Sequence, residues 1–210
     1  MHGAARHRYM WRGLDDEHRV DDAVVQFGHD SMLAHGSSVT AEYAMSWRLE
    51  VDEGWVTRRL SVAAYGDRWS RSLDLRRDDR GVWSARRIAE GGDPTEGSPE
   101  LDPASLNGAL DCDLGLCPLT NTMPIRRLGL TGTDVPPRRI IVAWVDVPTL
   151  RVYRSEQVYS SLGGAVRYQV PDGGFSADLT VDQRGVVVDY PQLARPVYLR
   201  ARARAGSRGS

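Results

Sequence analysis

Val39-Thr40-Ala41-Glu42-Tyr43-Ala44-Met45-Ser46-Trp47-Arg48-Leu49-Glu50-Val51-Asp52 is the stretch that decides the fold class. Its odd positions are apolar and its even positions polar, with Ala44 alone out of pattern, for about thirteen residues. That period of two is the pattern of a long β-strand with one buried face. Asp52-Glu53-Gly54 supplies a turn, and Val56, Leu60, Val62 and Ala64 set up a hairpin partner on the even positions. Gly66-Asp67 turns again into a third strand through Trp69, Leu73 and Leu75, and Asp78-Asp79-Arg80-Gly81 turns into Val82-Trp83.

Working outward, Ala23-Val24-Val25 reads as a short strand, and residues 28–36 as turn residues around Met32-Leu33. Residues 1–10 read as a disordered terminus, with Trp11 as the first core anchor of a β domain over residues 11–199. Residues 90–108, rich in Gly, Pro, Glu, Asp and Ser, read as a long surface loop within that domain, because strand patterning resumes after it. Ile140 to Val147 reads as a strand carrying Trp144, and three more strands follow around Val166, Phe175 and Val186. Residues 150–162 are open between strand and helical turn. Residues 200–210 read as a disordered basic tail. Trp69-Ser70-Arg71-Ser72-Leu73-Asp74-Leu75, with Arg80-Gly81-Val82 beyond it, resembles Phe175-Ser176-Ala177-Asp178-Leu179-Thr180-Val181 with Arg184-Gly185-Val186, so two related sheet halves are expected. The class is mainly β, and so many strands must curl or close to hide their edges.

The chain of 210 residues is long enough for a sizeable core. Its net charge of −1 gives no electrostatic reason to expect nucleic acid or an anionic membrane as partner. No apolar run is long enough for a membrane span, and the polar, basic first residues lack a signal peptide's apolar core, so a cytoplasmic location is expected. Cys112 and Cys117 have neither zinc-site spacing nor an oxidising context, and read as small buried apolar residues. His2, His7, His18, His29 and His35 show no helical i, i+4 pairing. Neither a metal nor a cofactor is expected, and no nucleotide-binding or nucleophile-elbow motif is present.

The chemistry concentrates in Leu110-Asp111-Cys112-Asp113-Leu114 and in Pro118-Leu119-Thr120-Asn121-Thr122-Met123-Pro124-Ile125-Arg126-Arg127-Leu128. In an extended chain Asp111 and Asp113 share one face, while Cys112 and Leu114 share the other. The two carboxylates suit either acid–base work or pairing with Arg126 and Arg127. Thr120, Asn121 and Thr122 suit sugar hydroxyls or their own backbone. Six tryptophans and eight tyrosines against two phenylalanines suit a curved sheet that holds an amphiphile.

These segments resemble the core signature of a bacterial glycolipid-binding family. The resemblance extends to Trp11, to Trp55-Val56-Thr57-Arg58, to Gly81-Val82-Trp83 and to Trp144-Val145-Asp146-Val147-Pro148. Gln157-Val158-Tyr159, Val181-Asp182, Gly185-Val186 and Asp189-Tyr190 complete it. It spans roughly residues 11–193; the loop at 90–108 is longer and more acidic than the family pattern. The resemblance implies a single spiral β-roll, a strongly curved and incompletely closed antiparallel sheet with one helix. That architecture is similar to bacterial lipoprotein carriers. The helix falls near Pro118 to Arg127 or near Leu150 to Leu162.

Three readings follow. In the first, the chain is a non-catalytic binding protein for a lipid or glycolipid, with Tyr43, Met45 and Trp47 as wall residues and Asn121, Arg126 and Arg127, beside Asp111 and Asp113, at the head group. In the second, it is a hydrolase of a sugar or acyl conjugate using Asp111 or Asp113 as acid and base, with Arg126 stabilising the anion. In the third, the carboxylates lock Arg126 and Arg127 and hold the two halves together. The oligomeric state is not legible from the sequence.

Overall fold

A computed structural model describes residues 5–92 and 102–197. The expectations for residues 1–4, 93–101 and 198–210 lie outside them. Among the described residues the protein is mainly β with one short α-helix. Seven strands run in chain order: β1 (Arg6–Gly13), β2 (Val20–Phe27), β3 (Met32–Val39), β4 (Tyr43–Asp52), β5 (Val56–Gly66), β6 (Trp69–Arg77) and β7 (Trp83–Gly91). Each pairs antiparallel with the next. A second set follows: β8 (Asp111–Leu114), α1 (Thr122–Arg127), β9 (Val135–Val145), β10 (Val152–Leu162), β11 (Ala165–Gln169), β12 (Ser176–Val181) and β13 (Val187–Asp189). The last strand, β14 (Ala194–Pro196), crosses back to pair with β1, giving an eight-stranded sheet β14-β1-β2-β3-β4-β5-β6-β7 beside a six-stranded sheet β13-β12-β11-β10-β9-β8. Within the second sheet β8 is parallel to β9.

The alternation that decided the fold class is realised in β4, where Met45, Trp47, Leu49 and Val51 enter the core of the large sheet. It does not run back to Val39 as one strand. Thr40 Oγ1 accepts from the amides of Glu42 (3.1 Å) and Tyr43 (3.0 Å), making a tight turn, and Val39 ends β3 half-exposed. Residues 32–36, expected as turn, are the first part of β3, which runs on to Val39. Ala34, Gly36, Ser37 and Ser38 of this strand are small, and at Gly36 an added Cβ would lie 2.5 Å from the Trp47 ring, so the strand carries little apolar period. Residues 6–10, expected in a disordered terminus, form the first part of β1 because they pair along β2 from Arg6 to Arg12. The helix lies at Thr122–Arg127, and residues 152–162 are strand β10. Arg126 and Arg127 occupy its last turn, where positive charge suits exposed carbonyls.

The two sheets are stitched together by residues that the sequence motifs single out. Thr57 donates its amide to Leu110 O (2.9 Å), and its hydroxyl accepts from Cys112 N (2.9 Å), so β5 holds β8. Trp11 Nε1 donates to Val187 O (3.0 Å) and Trp83 Nε1 to Ala109 O (3.1 Å), both from fully buried indoles. Burying an indole leaves its single N–H needing an acceptor, and each finds one on the opposite sheet's side of the core. The expected likeness of two halves is visible in two turns. Asp78 accepts from the amides of Arg80 and Val82 at 3.0 and 2.8 Å; Asp182 accepts from those of Arg184 and Val186 at 2.9 and 3.0 Å. Gly81 and Gly185 sit at the same place in these turns with φ of 84° and 79°, which only glycine adopts without strain.

Candidate functional site

Strand β8 puts Cys112 and Leu114 into the main core and turns Asp111 and Asp113 to the other face, towards α1 and the inner surface of the six-stranded sheet. The register then fixes their neighbours. Asp111 lies opposite Val142 and Asp113 opposite Trp144; on the next strand Ser155 and Tyr153 hold the matching positions. Gln157 and Tyr159 follow on the same face of β10, and Tyr168 lies opposite Tyr159.

Asp111 is sealed. Both its oxygens accept from the Arg127 guanidinium, which also donates to Trp55 O (3.2 Å). The carboxylate is 1% exposed and the arginine side chain 17%. Burial pushes the Asp111 carboxyl up, and the Arg127 fork opposes that shift. Arg126 leaves in another direction, stacking its guanidinium 5.0 Å from the Trp55 ring centroid and packing against Gly185.

Asp113 meets no arginine. Gln157 Nε2 donates to its Oδ2 at 2.6 Å, and Thr120 Oγ1 lies 2.9 Å from its Oδ1. Tyr159 OH has one proton and two acceptors in reach, Asn121 Oδ1 at 2.7 Å and Gln157 Oε1 at 3.2 Å, so it donates to the nearer. Burial, with a smaller push from the Asp111 charge, raises the Asp113 carboxyl to about 6 against the pull of Gln157 and Thr120. Burial also raises Tyr159, Tyr168 and Tyr190, so all three stay protonated at neutral pH.

Above this network opens a cleft of about 510 Å³. Asp113, Asn121 and Gln157 form its floor. Trp144, Tyr168, Phe175 and Tyr190 line its walls, with Tyr168 6.0 Å from Phe175 and 6.1 Å from Tyr190 between ring centroids. Tyr153, 5.8 Å from Trp144, adds an exposed ring beside it. Ser155 and Asp146 contribute further polar groups. The near wall, Leu116 and Leu193, is braced from behind by fully buried Arg19, which donates to their carbonyls at 3.0 and 2.6 Å and is neutralised by Asp15 and Asp21. The volume and the mixture of apolar wall and few convergent polar groups are those of a small-molecule site.

Of the residues the sequence singled out, Asp113 and Asn121 line this cleft, whereas Asp111, Arg126 and Arg127 do not. Met45 and Trp47 are buried in the core of the large sheet, and Tyr43 packs 6.4 Å from Trp69. The aromatic walls and Gln157 carry no site signal of their own in the sequence; the Gln157-Val158-Tyr159 spacing puts both side chains on one face only because residues 152–162 form strand β10. The hydrolase reading finds no support in this arrangement, because Asp111 is committed to Arg127 and does not reach the cleft. Among the described residues no group of three or more His, Cys, Asp or Glu is arranged to hold a metal ion. No helix among them is long and apolar enough to cross a membrane.

A mainly β protein with an aromatic, polar-floored cleft in a curved sheet has the kind of cavity in which small molecules are found to bind. The chain belongs to the family described as "Putative glycolipid-binding", whose model matches residues 8–196. It is similar to the crystal structure of a DUF1089 family protein from Pseudomonas aeruginosa, with 26% identity and a TM-score of 0.62 over 92% of this chain and 93% of that one. No protein with a curated description matches the chain.

Proposed function

We propose that this protein binds a lipid or glycolipid without chemically changing it, and that the ligand sits in the cleft of the six-stranded sheet. The observation that carries the reading is the pairing of aromatic walls with a hydrogen-bonded polar floor in one cavity of about 510 Å³. Trp144, Tyr168, Phe175 and Tyr190 offer flat apolar faces to a ring or a chain. Asp113, Asn121 and Gln157, held by Tyr159 and Thr120, offer a preorganised polar surface that costs little to order on binding. In this reading the ligand-contacting residues are the cleft residues, with Asp113 and Asn121 at the head group and Asp111, Arg126 and Arg127 acting as its scaffold. The strand succession and the return of β14 to β1 support a rolled architecture around this cleft. Two free, buried cysteines fit a reducing, cytoplasmic setting.

Native mass spectrometry of the protein purified from its own host's lysate, followed by denaturing extraction, tests the proposal. A co-purifying amphiphile released on denaturation is the expected result. Ligand-free protein that stays so after incubation with host lipid extract contradicts it.

A further inference from the structure

The cleft has a charge signature that the binding reading alone does not contain. Two carboxylates, Asp113 and Asp146, line it, and no arginine or histidine does. Arg127 is committed to Asp111, Arg126 stacks on the Trp55 ring, and Arg19 is held by Asp15 and Asp21 behind the Leu116 wall; Arg151, whose carbonyl accepts from Asp146 N at 2.9 Å, does not line the cleft.

The hydrogen-bond stock leans the same way. Gln157 Nε2 gives one of its two N–H groups to Asp113, Asn121 Nδ2 gives one of its two to Pro118 O (3.3 Å), and Tyr159 OH gives its single proton to Asn121. Acceptors remain in surplus. Asp113 receives Gln157 Nε2 and shares the single Thr120 hydroxyl proton with Cys117 O (2.9 Å), where an ionised carboxylate has room for about four bonds. Among the described residues the Asp146 side chain receives only Thr149 Oγ1, at 2.5 Å. The Tyr168 and Tyr190 hydroxyls have no protein partner among the described residues and can turn either way.

Resting on the lipid-binding reading, we infer that the cleft selects a head group that donates hydrogen bonds and carries no negative charge, with Asp113 as the anchoring acceptor, and rejects phosphate, sulfate and carboxylate heads. Hydroxyls of a glycosyl unit and an ammonium share this chemistry. Both also suit the walls, since aromatic faces attract cations and pack against the apolar faces of sugar rings. An anionic head would enter a low-dielectric site beside two like charges with no cation to meet it.

The test uses three amphiphiles with one common tail, dodecyl glucoside, dodecylammonium and dodecyl phosphate, each titrated below its micelle concentration against the full chain at pH 7.5. The glucoside or the ammonium is expected to bind at least about tenfold more tightly than the phosphate. Whichever of the two leads identifies the head-group chemistry, and Asp113→Asn is expected to shrink the gap. Equal affinity for all three would leave lipid binding standing and overturn the head-group inference, as would preference for the phosphate. Binding of none would overturn both.

Discussion

Asp111 and Asp113 stand two residues apart on the same face of one strand, and the fold uses them in opposite ways. Asp111 is closed in by a bidentate arginine and joins β8 to α1 and, through Trp55 O, to the start of β5. Asp113 is held by two neutral donors, has no cation, and forms the floor of a cleft. An ion pair completes a carboxylate's needs inside the protein. Neutral donors leave charge and lone pairs over, and the open side of Asp113 is where a ligand can use them. Identical side chains thus become a strut and a site because α1 places Arg127 over one, and the turn at Pro118–Asn121 that leads into α1 places Thr120 beside the other.

The contrast can be broken at either end. The largest effect is expected from Asp111→Asn, which leaves the Arg127 charge buried without its partner and lowers stability by about 3–5 kcal/mol in urea unfolding. The double substitution Asp111→Leu with Arg127→Met recovers most of that loss, because apolar residues of similar volume remove both charges together. A loss below about 1 kcal/mol for the single variant would demote the pair to an ordinary surface bridge.

Asp113 makes the opposite kind of contribution. Its folded carboxyl titrates at about 6, above the ~3.9 of an unfolded chain. Between those values the folded state binds the extra proton, so unfolding free energy falls as pH rises from about 4 to about 6 and levels off above. The size is about 3 kcal/mol at most, from roughly two units at ~1.4 kcal/mol each. Asp113→Asn removes that slope. Relative to the parent, the variant is expected to gain stability across this window and hold the gain at pH 7. Parallel stability curves from pH 4 to 7 would show that the carboxyl is not raised. The smallest effect is expected from Tyr159→Phe, which loses one hydrogen bond to Asn121 at about 1 kcal/mol while leaving the Asp113 contacts intact.

The large sheet was legible where side-chain volume announces burial, as in Met45, Trp47, Leu49 and Val51 of β4. It was illegible at β3, whose Gly36, Ser37 and Ser38 leave room for Trp47 and carry no period. The turn at residues 40–42 was masked because Val39 and Ala41 happen to continue β4's parity. The related turns at Gly81 and Gly185 could be matched in sequence because their Asp and Gly roles are local. The site was half visible for the same reason. Asp113 and Asn121 stood out in one short stretch, but Gln157 reaches Asp113 from 44 residues away, and only strand register decides that meeting. Met45 and Trp47 were chosen as wall residues from their alternation, which reports a buried face without saying whether protein or ligand covers it; here protein does.

The central claim is that the ligand occupies this cleft and not another surface. Ser155 lines it from β10 and takes no part in the Asp113 network, so Ser155→Trp fills the cavity while leaving the floor in place. Native mass spectrometry of parent and variant after identical purification compares them directly. The account predicts a bound amphiphile in the parent and a folded, ligand-free Ser155→Trp. The same amphiphile retained in the same proportion by both proteins would contradict it.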